Sequence, residues 1–140
     1  MKLGFIGTGE ITKAVVIGVL GSKIKFQKIY LSKRNSKISA FLTKKNKKIQ
    51  IEKNNQDLIN KSDWVFLAVT PKVGNKIIKK LHFKRRQTIV SFISTIQLPK
   101  LKKLTKNRTN IVRAIPLPPI SLRKGPIPIF PPNKKVKKFF

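Results

Sequence analysis

Two hydrophobic patterns alternate along the amino-terminal part of the chain. A short apolar run covers residues 3–6 and stops at Gly7-Thr8-Gly9. Beyond it, apolar or small residues recur at helical spacing, at positions 11, 14, 15, 18 and 19, until Gly21-Ser22 interrupts them. A short continuous run is typical of a buried strand, and recurrence every three or four residues is typical of one face of a helix. The first twenty residues therefore predict a strand, a glycine turn and a helix.

The same alternation continues to residue 115. Further apolar runs predict strands over residues 28–31, 49–51, 64–69, 88–93 and 110–115, and the segments between them predict helices over residues 38–47, 56–60, 71–81 and 99–104. The run at 64–69 is uninterrupted, as expected of a parallel strand buried on both faces. Thr70-Pro71 behind it fits an N-cap and a first helical position. We therefore predict an α/β fold of Rossmann type, a doubly wound, mostly parallel sheet with helices on both faces.

The carboxyl-terminal segment has a different character. Seven of the nine prolines lie in residues 116–132, which predicts an extended and nearly helix-free stretch. Residues 126–130 could add an edge strand. Asn133 could cap a last helix through Val136, Phe139 and Phe140, and these three apolar side chains have no obvious partner in the sequence.

Gly7-Thr8-Gly9 lies where a phosphate-binding turn belongs, behind the first strand and at the start of the first helix. Gly7 would permit the tight turn, Gly9 would let a pyrophosphate approach the backbone, and the helix would supply N–H donors. The third fingerprint position holds Thr12, so the motif is incomplete, and a purely structural turn remains an alternative. Glu10 in the first helical turn is interpreted as structural, with its side chain towards solvent.

The end of the second strand indicates which dinucleotide would bind. An NAD site has an acid here for the ribose 2′-hydroxyl, but this chain has Ser32, Lys33 and Arg34 and no acid before Glu52. One hydroxyl and two cations suit a 2′-phosphate. The sequence therefore predicts NADP as cofactor, with NADPH preferred over NADH.

Composition removes several other functions. The chain has no Cys and one His, which excludes thiolate catalysis and makes a metal site implausible, so no metal is predicted. The longest uncharged run, residues 87–99, is too short to span a bilayer, so we expect a cytoplasmic protein without a membrane partner.

The formal net charge of +29 is the remaining prominent feature of the composition. It would favour nonspecific binding to nucleic acid, but the basic residues are mostly Lys, as AT-rich codons would produce, and no nucleic-acid-binding motif occurs. No specific nucleic-acid partner is predicted, although a basic nucleic-acid-binding protein remains a less favoured alternative.

Four motifs occur along the chain in the following order: LGFIGTG at residues 3–9, WVFLAVTP at 64–71, SFISTI at 91–96 and VRAIP at 112–116. Together they resemble the amino-terminal dinucleotide-binding domain of the pyrroline-5-carboxylate reductase family, over essentially the whole chain. The resemblance implies a Rossmann-type fold and the NAD(P)H-dependent reduction of a cyclic imine to proline.

The resemblance also implies positions for the cofactor. The pyrophosphate would lie against Gly7, Thr8, Gly9, Glu10 and Ile11, and the adenosine phosphate against Ser32 and Arg34, with Lys33 between them. The central ribose and nicotinamide would lie near Ala68, Val69, Thr70 and Pro71 and near Ala114, Ile115 and Pro116. For Ala68, Val69 and Ile115, plain core packing is an equally good interpretation.

Two departures from the family concern the substrate side. Thr70 replaces a usual Lys, and Leu117-Pro118-Pro119 replaces a usual Asn-Thr-Pro, so apolar groups and a hydroxyl stand where the family has other polar groups. No residue of the chain is assigned a catalytic role, and the exact imine substrate stays open.

The family continues into a helical dimerisation domain. We expect residues 1–131 to form the dinucleotide-binding domain and residues 132–140 to begin a connecting helix. A homo-oligomer is expected only if such a helical domain follows, and the 140-residue chain is expected to bind NADPH with little imine reduction. The alternative function is a non-catalytic NADP-binding module or an inactive fragment.

Overall fold

The computed structural model describes residues 1–106 and 110–140. The strands are β1 (Lys2–Ile6), β2 (Lys28–Leu31), β3 (Ile49–Ile51), β4 (Trp64–Leu67), β5 (Thr88–Ser91), β6 (Ile111–Ala114) and β7 (Ile129–Phe130). The α-helices are α1 (Glu10–Leu20), α2 (Ser36–Lys45), α3 (Asn55–Lys61), α4 (Pro71–Ile77), α5 (Leu98–Leu104) and α6 (Lys134–Phe139), with 3₁₀ helices at Ile78–Lys80 and Pro118–Leu122. Among these helices none is both long and apolar enough to cross a membrane.

The strands form one sheet in the order β3-β2-β1-β4-β5-β6-β7. Neighbouring strands from β3 to β6 pair in parallel, and β7 pairs antiparallel with β6 through Arg113 opposite Phe130 and Ala114 opposite Ile129. The predicted Rossmann-type class is confirmed. The strand order reverses between β1 and β4, and α/β proteins of this kind bind ligands beyond the carboxyl ends of the strands at such a point. We call this region the crevice.

Two apolar layers cover the sheet, one on each face. On one face Phe5, Phe66 and Val112 pack beneath α1, α2, the 3₁₀ helix Pro118–Leu122 and α6. On the other, Ile6 and Leu67 pack beneath α3, α4 and α5. Successive strand residues alternate between the layers, because side chains of a strand point to opposite faces in turn.

Asparagine side chains start three of the helices. Asn35, Asn54 and Asn133 each accept a hydrogen bond from a backbone N–H in the first turn of α2, α3 and α6. Each bond satisfies a donor that the helix itself cannot pair. The prediction of Asn133 as a cap is confirmed. Thr70 occupies the N-cap position of α4, but its side chain makes no capping hydrogen bond there.

The prediction that Val136, Phe139 and Phe140 have no partner is wrong. Val136 is fully buried, and the Phe139 ring lies 5.2 Å from Trp64 and 5.4 Å from Phe66, centroid to centroid. The cause is the extended proline segment, which returns the chain to the face that α1 only partly covers. Residues 132–140 therefore complete the core of the sheet domain instead of standing apart from it.

The proline-rich stretch also contains more structure than predicted. Pro118–Leu122 forms a 3₁₀ helix that packs on α1, where a Cβ on Gly18 would lie 2.5 Å from the carbonyl oxygen of Ile120. Proline tolerates this conformation at the start of a helix because its missing N–H is unpaired there anyway. The expected edge strand is present, shortened to Ile129–Phe130.

Candidate cofactor site at the carboxyl edge of the sheet

Gly7 is required by the protein's own packing. Its φ is +98°, in the left-handed region, and a Cβ there would lie 2.2 Å from the carbonyl oxygen of Ala68. Only glycine fits such a position without strain. The turn behind β1 therefore packs directly against the segment behind β4, which brings two of the predicted site segments together.

Gly9 is different, because nothing within the described residues requires a glycine there. Its backbone is extended, at φ −93° and ψ −169°, and a Cβ would meet no atom within 4 Å. It is the N-cap of α1, and no side chain of the described protein caps that helix. The N–H groups of the first turn consequently face an open space without a Cβ, which is the geometry that a phosphate group requires.

Buried hydroxyl groups hold this turn in place. The N–H of Gly7 donates to Ser32 Oγ at 2.9 Å, and the Thr8 hydroxyl donates to the Ser32 carbonyl oxygen at 2.8 Å. Ser32 Oγ is also 3.0 Å from Thr8 Oγ1. Because the single Thr8 proton is already used, Ser32 donates in this last contact. The Ser32 hydroxyl thus uses its single proton and one of its two lone pairs inside the protein, where Ser32 is 5% exposed.

Thr12, which interrupts the glycine fingerprint, has a related role. Its buried hydroxyl donates to the Gly7 carbonyl oxygen at 2.7 Å and fixes the turn from the helix side. Sequence reasoning counted Thr12 only as a missing glycine. The sequence signal for this role is a hydroxyl residue in the first turn of the helix, three positions after Gly9 and close enough to bond the glycine turn.

Lys33 and Arg34 follow Ser32 and are both exposed. In the described part of the chain neither makes an ion pair, so both cations remain available beside the phosphate turn. Glu10 extends into solvent with 80% of its side chain exposed and lies 3.9 Å from Lys13, one helical turn away. Its carboxylate therefore points away from the turn, in agreement with the structural interpretation.

The remaining predicted residues line the crevice further along the sheet. Ala68 and Val69 are half-buried behind β4, Thr70 and Pro71 are exposed at the start of α4, and Ala114, Ile115 and Pro116 lie at the end of β6. Because β5 separates β4 from β6, this last group is about 10 Å from the β4 segment at ordinary strand spacing. The structure brings Ala68 against Gly7 but leaves the β6 residues apart from the turn.

Arg113 is a residue that the sequence analysis did not single out. It lies in β6, and its guanidinium donates to the carbonyl oxygen of Ser94, in the segment behind β5. This bond ties β6 to the loop behind β5 at the carboxyl edge. A charged residue inside an otherwise apolar strand was the signal that could have identified it.

Comparison with known proteins shows the family of the chain. The family model described as "NADP oxidoreductase coenzyme F420-dependent" matches residues 2–95, and the chain belongs to that family. The class is therefore that of NAD(P)-dependent oxidoreductases.

The curated relatives are more specific. The chain is 27% identical over 129 residues to pyrroline-5-carboxylate reductase 3 of Danio rerio, covering 89% of this chain and 44% of that protein. It is 24% identical over 139 residues to pyrroline-5-carboxylate reductase of Haemophilus influenzae, covering 98% of this chain and 51% of that protein. The resemblance inferred from the four motifs is confirmed, and the chain spans about half the length of the curated relatives it matches.

Solved structures show the same fold. Pyrroline carboxylate reductase of Plasmodium falciparum, with NADP bound, superimposes with a TM-score of 0.80 at 21% identity, covering 99% of this chain and 52% of that one. The Streptococcus pyogenes enzyme gives a TM-score of 0.79 at 22% identity, again over 99% of this chain and 52% of the other.

Proposed function

We propose that this protein reduces a C=N bond by NADPH-dependent hydride transfer, on a substrate of the pyrroline-5-carboxylate type, in proline biosynthesis. The nicotinamide supplies the hydride when the cofactor is bound. The residues of this chain bind the dinucleotide, hold its pyrophosphate at the start of α1 and orient it along the carboxyl edge of the sheet. The family and the curated relatives support this proposal.

One observation carries the proposal, and it is the open space at Gly9. The backbone at position 9 does not require a glycine. A glycine is nevertheless present, directly before a helix whose first turn no side chain caps. A ligand that brings phosphate oxygens to within hydrogen-bond distance of the first-turn N–H groups accounts for both facts.

The preference for NADPH rests on Lys33 and Arg34. Since the Ser32 hydroxyl is engaged with Gly7 and Thr8, we assign recognition of the 2′-phosphate to the two cations, with Arg34 as the bidentate partner. No acid lies between Ser32 and Glu52, so the usual partner of an unphosphorylated ribose is missing at the end of β2.

A second function, binding of NADPH without turnover, is favoured by the nicotinamide end of the crevice. Leu117 is 51% exposed and is followed by Pro118 and Pro119, so this edge offers few polar groups to grip an imine. Catalysis requires a substrate held in near-attack geometry, and a loss of positioning raises the barrier by several kcal/mol.

The first experiment measures NADPH binding by the increase of its own fluorescence. The test pair is Gly9→Val and Gly21→Val, at the two ends of α1. At position 21 a Cβ would make only ordinary contacts, the nearest at 3.6 Å, so this variant controls for the substitution itself. We expect Gly9→Val to weaken NADPH binding by about a hundredfold, or 2.7 kcal/mol, with a native circular dichroism spectrum, and Gly21→Val to bind normally.

The second experiment follows NADPH oxidation with pyrroline-5-carboxylate. Reduction that Gly9→Val abolishes supports the proposed enzyme, whereas tight binding without reduction selects the second function. Normal NADPH binding by a folded Gly9→Val protein would refute both, because the phosphate site would then lie elsewhere.

A further inference from the structure

Three helices on one face of the sheet present almost nothing but lysine to the solvent. They are α4, the 3₁₀ helix Ile78–Lys80 that continues it, and α5, which packs against that 3₁₀ helix on the same apolar layer. Apart from Pro71 and Pro99, every exposed residue of these helices is a lysine. We call this continuous surface the lysine face, and its members are Lys72, Lys76, Lys79, Lys80, Lys100, Lys102 and Lys103.

Helical periodicity places these lysines on the outside. Ile78 and Leu101 are fully buried against the sheet, and the lysines occupy the remaining positions of each turn. Lys72, Lys76 and Lys79 follow one another at i, i+4 and i+7, so they form a row along the helix with about 5–6 Å of axial rise between neighbours. The lysine face is therefore a regular array of cations on a rigid support.

The charges of the lysine face are not neutralised by the protein itself. The two ion pairs among the described residues, Lys13 with Glu10 and Lys61 with Glu52, lie on other elements. Residues 64–140 contain 19 Lys and Arg residues and no Asp or Glu. AT-rich codons explain why the cations are mostly lysines, but they do not explain the missing acids, since the codons of Lys and Glu are similarly rich in A. The cations are therefore available to an external anion.

The lysine face lacks the groups that an acidic protein or a membrane would require. The large apolar side chains that the described structure exposes all belong to other segments: Phe41, Ile51, Leu117, Leu122 and Phe130. The core of a protein–protein interface is enriched in aromatic, Met and Arg residues and depleted in Lys. Stable attachment to a lipid surface needs buried apolar area or a lipid chain in addition to charge. Charge alone has to hold the partner of this surface.

Duplex DNA is a partner that charge alone can hold. It carries one negative charge about every 1.7 Å along its axis, and lysines that contact its phosphates release condensed counterions. Single strands are held by aromatic side chains that stack on the bases, and duplex RNA by contacts that include the 2′-hydroxyl groups. Because its exposed residues are only Lys and Pro, the lysine face offers neither aromatic rings nor exposed hydroxyl or amide groups for these contacts.

We propose that the lysine face binds the phosphate backbone of double-stranded DNA without regard to base sequence. The ammonium groups contact phosphate oxygens as point charges, and such contacts position a duplex without reading its bases. The proposal does not depend on the proposed reductase activity, because it uses none of the residues assigned to the cofactor.

The first measurement is the salt dependence of binding to a labelled DNA duplex of about 20 base pairs, or two helical turns, followed by fluorescence anisotropy. Seven phosphate contacts predict a slope of about −6 in a plot of log K against log salt. An AT-rich and a GC-rich duplex should bind with affinities that differ by less than about threefold. No binding at about 50 mM salt, or a preference of about tenfold or more for one sequence, would overturn the proposal.

A matched pair of double variants locates the binding. Lys76→Gln with Lys103→Gln removes two charges from the lysine face, and Lys44→Gln with Lys47→Gln removes two exposed charges at the end of α2 and in the turn behind it. We expect the face variant to bind the duplex about tenfold more weakly, with a slope less steep by about 2, and the control variant to keep the parent slope. Equal changes in two variants with native circular dichroism spectra would contradict the lysine face, because the charge of the whole surface would then account for the binding.

Three competitors of the labelled duplex test the choice of partner. They are polyglutamate of matched charge, phosphatidylserine vesicles and an RNA duplex of the same sequence. We expect polyglutamate and vesicles to compete at least about tenfold more weakly than unlabelled DNA, because their charges are less densely and less regularly arranged. Polyglutamate or vesicles that compete as well as DNA, or an RNA duplex that competes better, would overturn the assignment to DNA.

Discussion

The two edges of the sheet use different parts of the polypeptide to form a concave surface. At the carboxyl edge the surface consists of backbone, glycine and short hydroxyl side chains, held by the hydrogen bonds among Gly7, Thr8 and Ser32. At the amino edge it consists of large apolar side chains with flexible lysines around them. The first edge has a fixed backbone geometry, and the second is held together by the packing of side chains from different segments of the chain.

This difference determines how each edge responds to substitution. A fixed backbone turn is sensitive to a single added methyl group, because the atoms around it cannot move. A surface built from packed apolar side chains loses stability when one of those side chains is shortened. Substitutions at the carboxyl edge should therefore change both stability and cofactor binding, whereas removal of a packed aromatic side chain at the amino edge should change stability alone.

The largest effect is expected for Gly7→Ala. Its Cβ would lie 2.2 Å from the carbonyl oxygen of Ala68, at a φ of +98° that alanine adopts only with strain. We expect the free energy of unfolding to fall by about 3 kcal/mol or more. Urea denaturation measures it, with Gly21→Ala as the control of unchanged stability. A Gly7→Ala protein as stable as the parent would show that this turn is not rigid.

At the amino edge, Phe139→Ala should have the next largest effect. Phe139 is 7% exposed and its ring contacts Trp64, Phe66 and Phe140, so the variant leaves a cavity between α6 and the sheet. We expect a loss of about 3 kcal/mol in stability. The Trp64 emission should shift to longer wavelength as water reaches the ring, while the affinity for NADPH stays normal. A simultaneous loss of NADPH binding would contradict the independence of the two edges.

Ser32→Ala tests whether this hydroxyl supports the turn or contacts the cofactor. Without it the N–H of Gly7 is left buried and unpaired, which costs about 2 kcal/mol. We expect both NADPH and NADH to bind more weakly by the same factor. A selective loss of NADPH affinity, measured by titration of the two cofactors, would instead make Ser32 a ligand of the 2′-phosphate.

Arg34→Ala should have the smallest effect and the most specific one. We expect NADPH to bind the parent about tenfold more tightly than NADH, a difference of 1.4 kcal/mol, and the variant to lose most of it. NADH affinity should hardly change, because the proposal assigns the Arg34 guanidinium to the 2′-phosphate, which NADH lacks. Arg85→Ala, another exposed arginine, is the matched control. Equal affinities of the parent for both cofactors would contradict the assignment of Arg34.

Much of the fold could be predicted because the signals are local. The strand boundaries of β2 and β3 match the predicted ranges, since each apolar run is bounded by polar residues. The strands β4, β5 and β6 end earlier than predicted, at Leu67, Ser91 and Ala114. Apolar residues continue beyond the last ladder position there because the loops of the crevice are themselves half-buried, and hydrophobicity alone does not distinguish the two.

The glycine turn behind β1 could also be predicted, because Gly7 and Gly9 are separated by one residue and directly follow an apolar run in the sequence. The engagement of Ser32 was not, since it depends on a hydrogen bond between residues 25 positions apart. The packing of Phe139 on Trp64 joins residues that lie still further apart in the sequence. Such contacts follow from the path of the proline segment, which has no periodic pattern to reveal it.

The position of α6 on the sheet has a consequence for protein synthesis. Phe5 and Phe66 lie on the face that the Pro118–Leu122 helix and α6 help to cover, and these two elements are made after every parallel strand. At about 5–20 residues per second, the 25 positions between Ala114 and Phe139 take roughly one to five seconds to emerge. During that time a nearly complete sheet has an aromatic face that α1 and α2 cover only in part, and such a surface exposes the nascent chain to aggregation until α6 has packed.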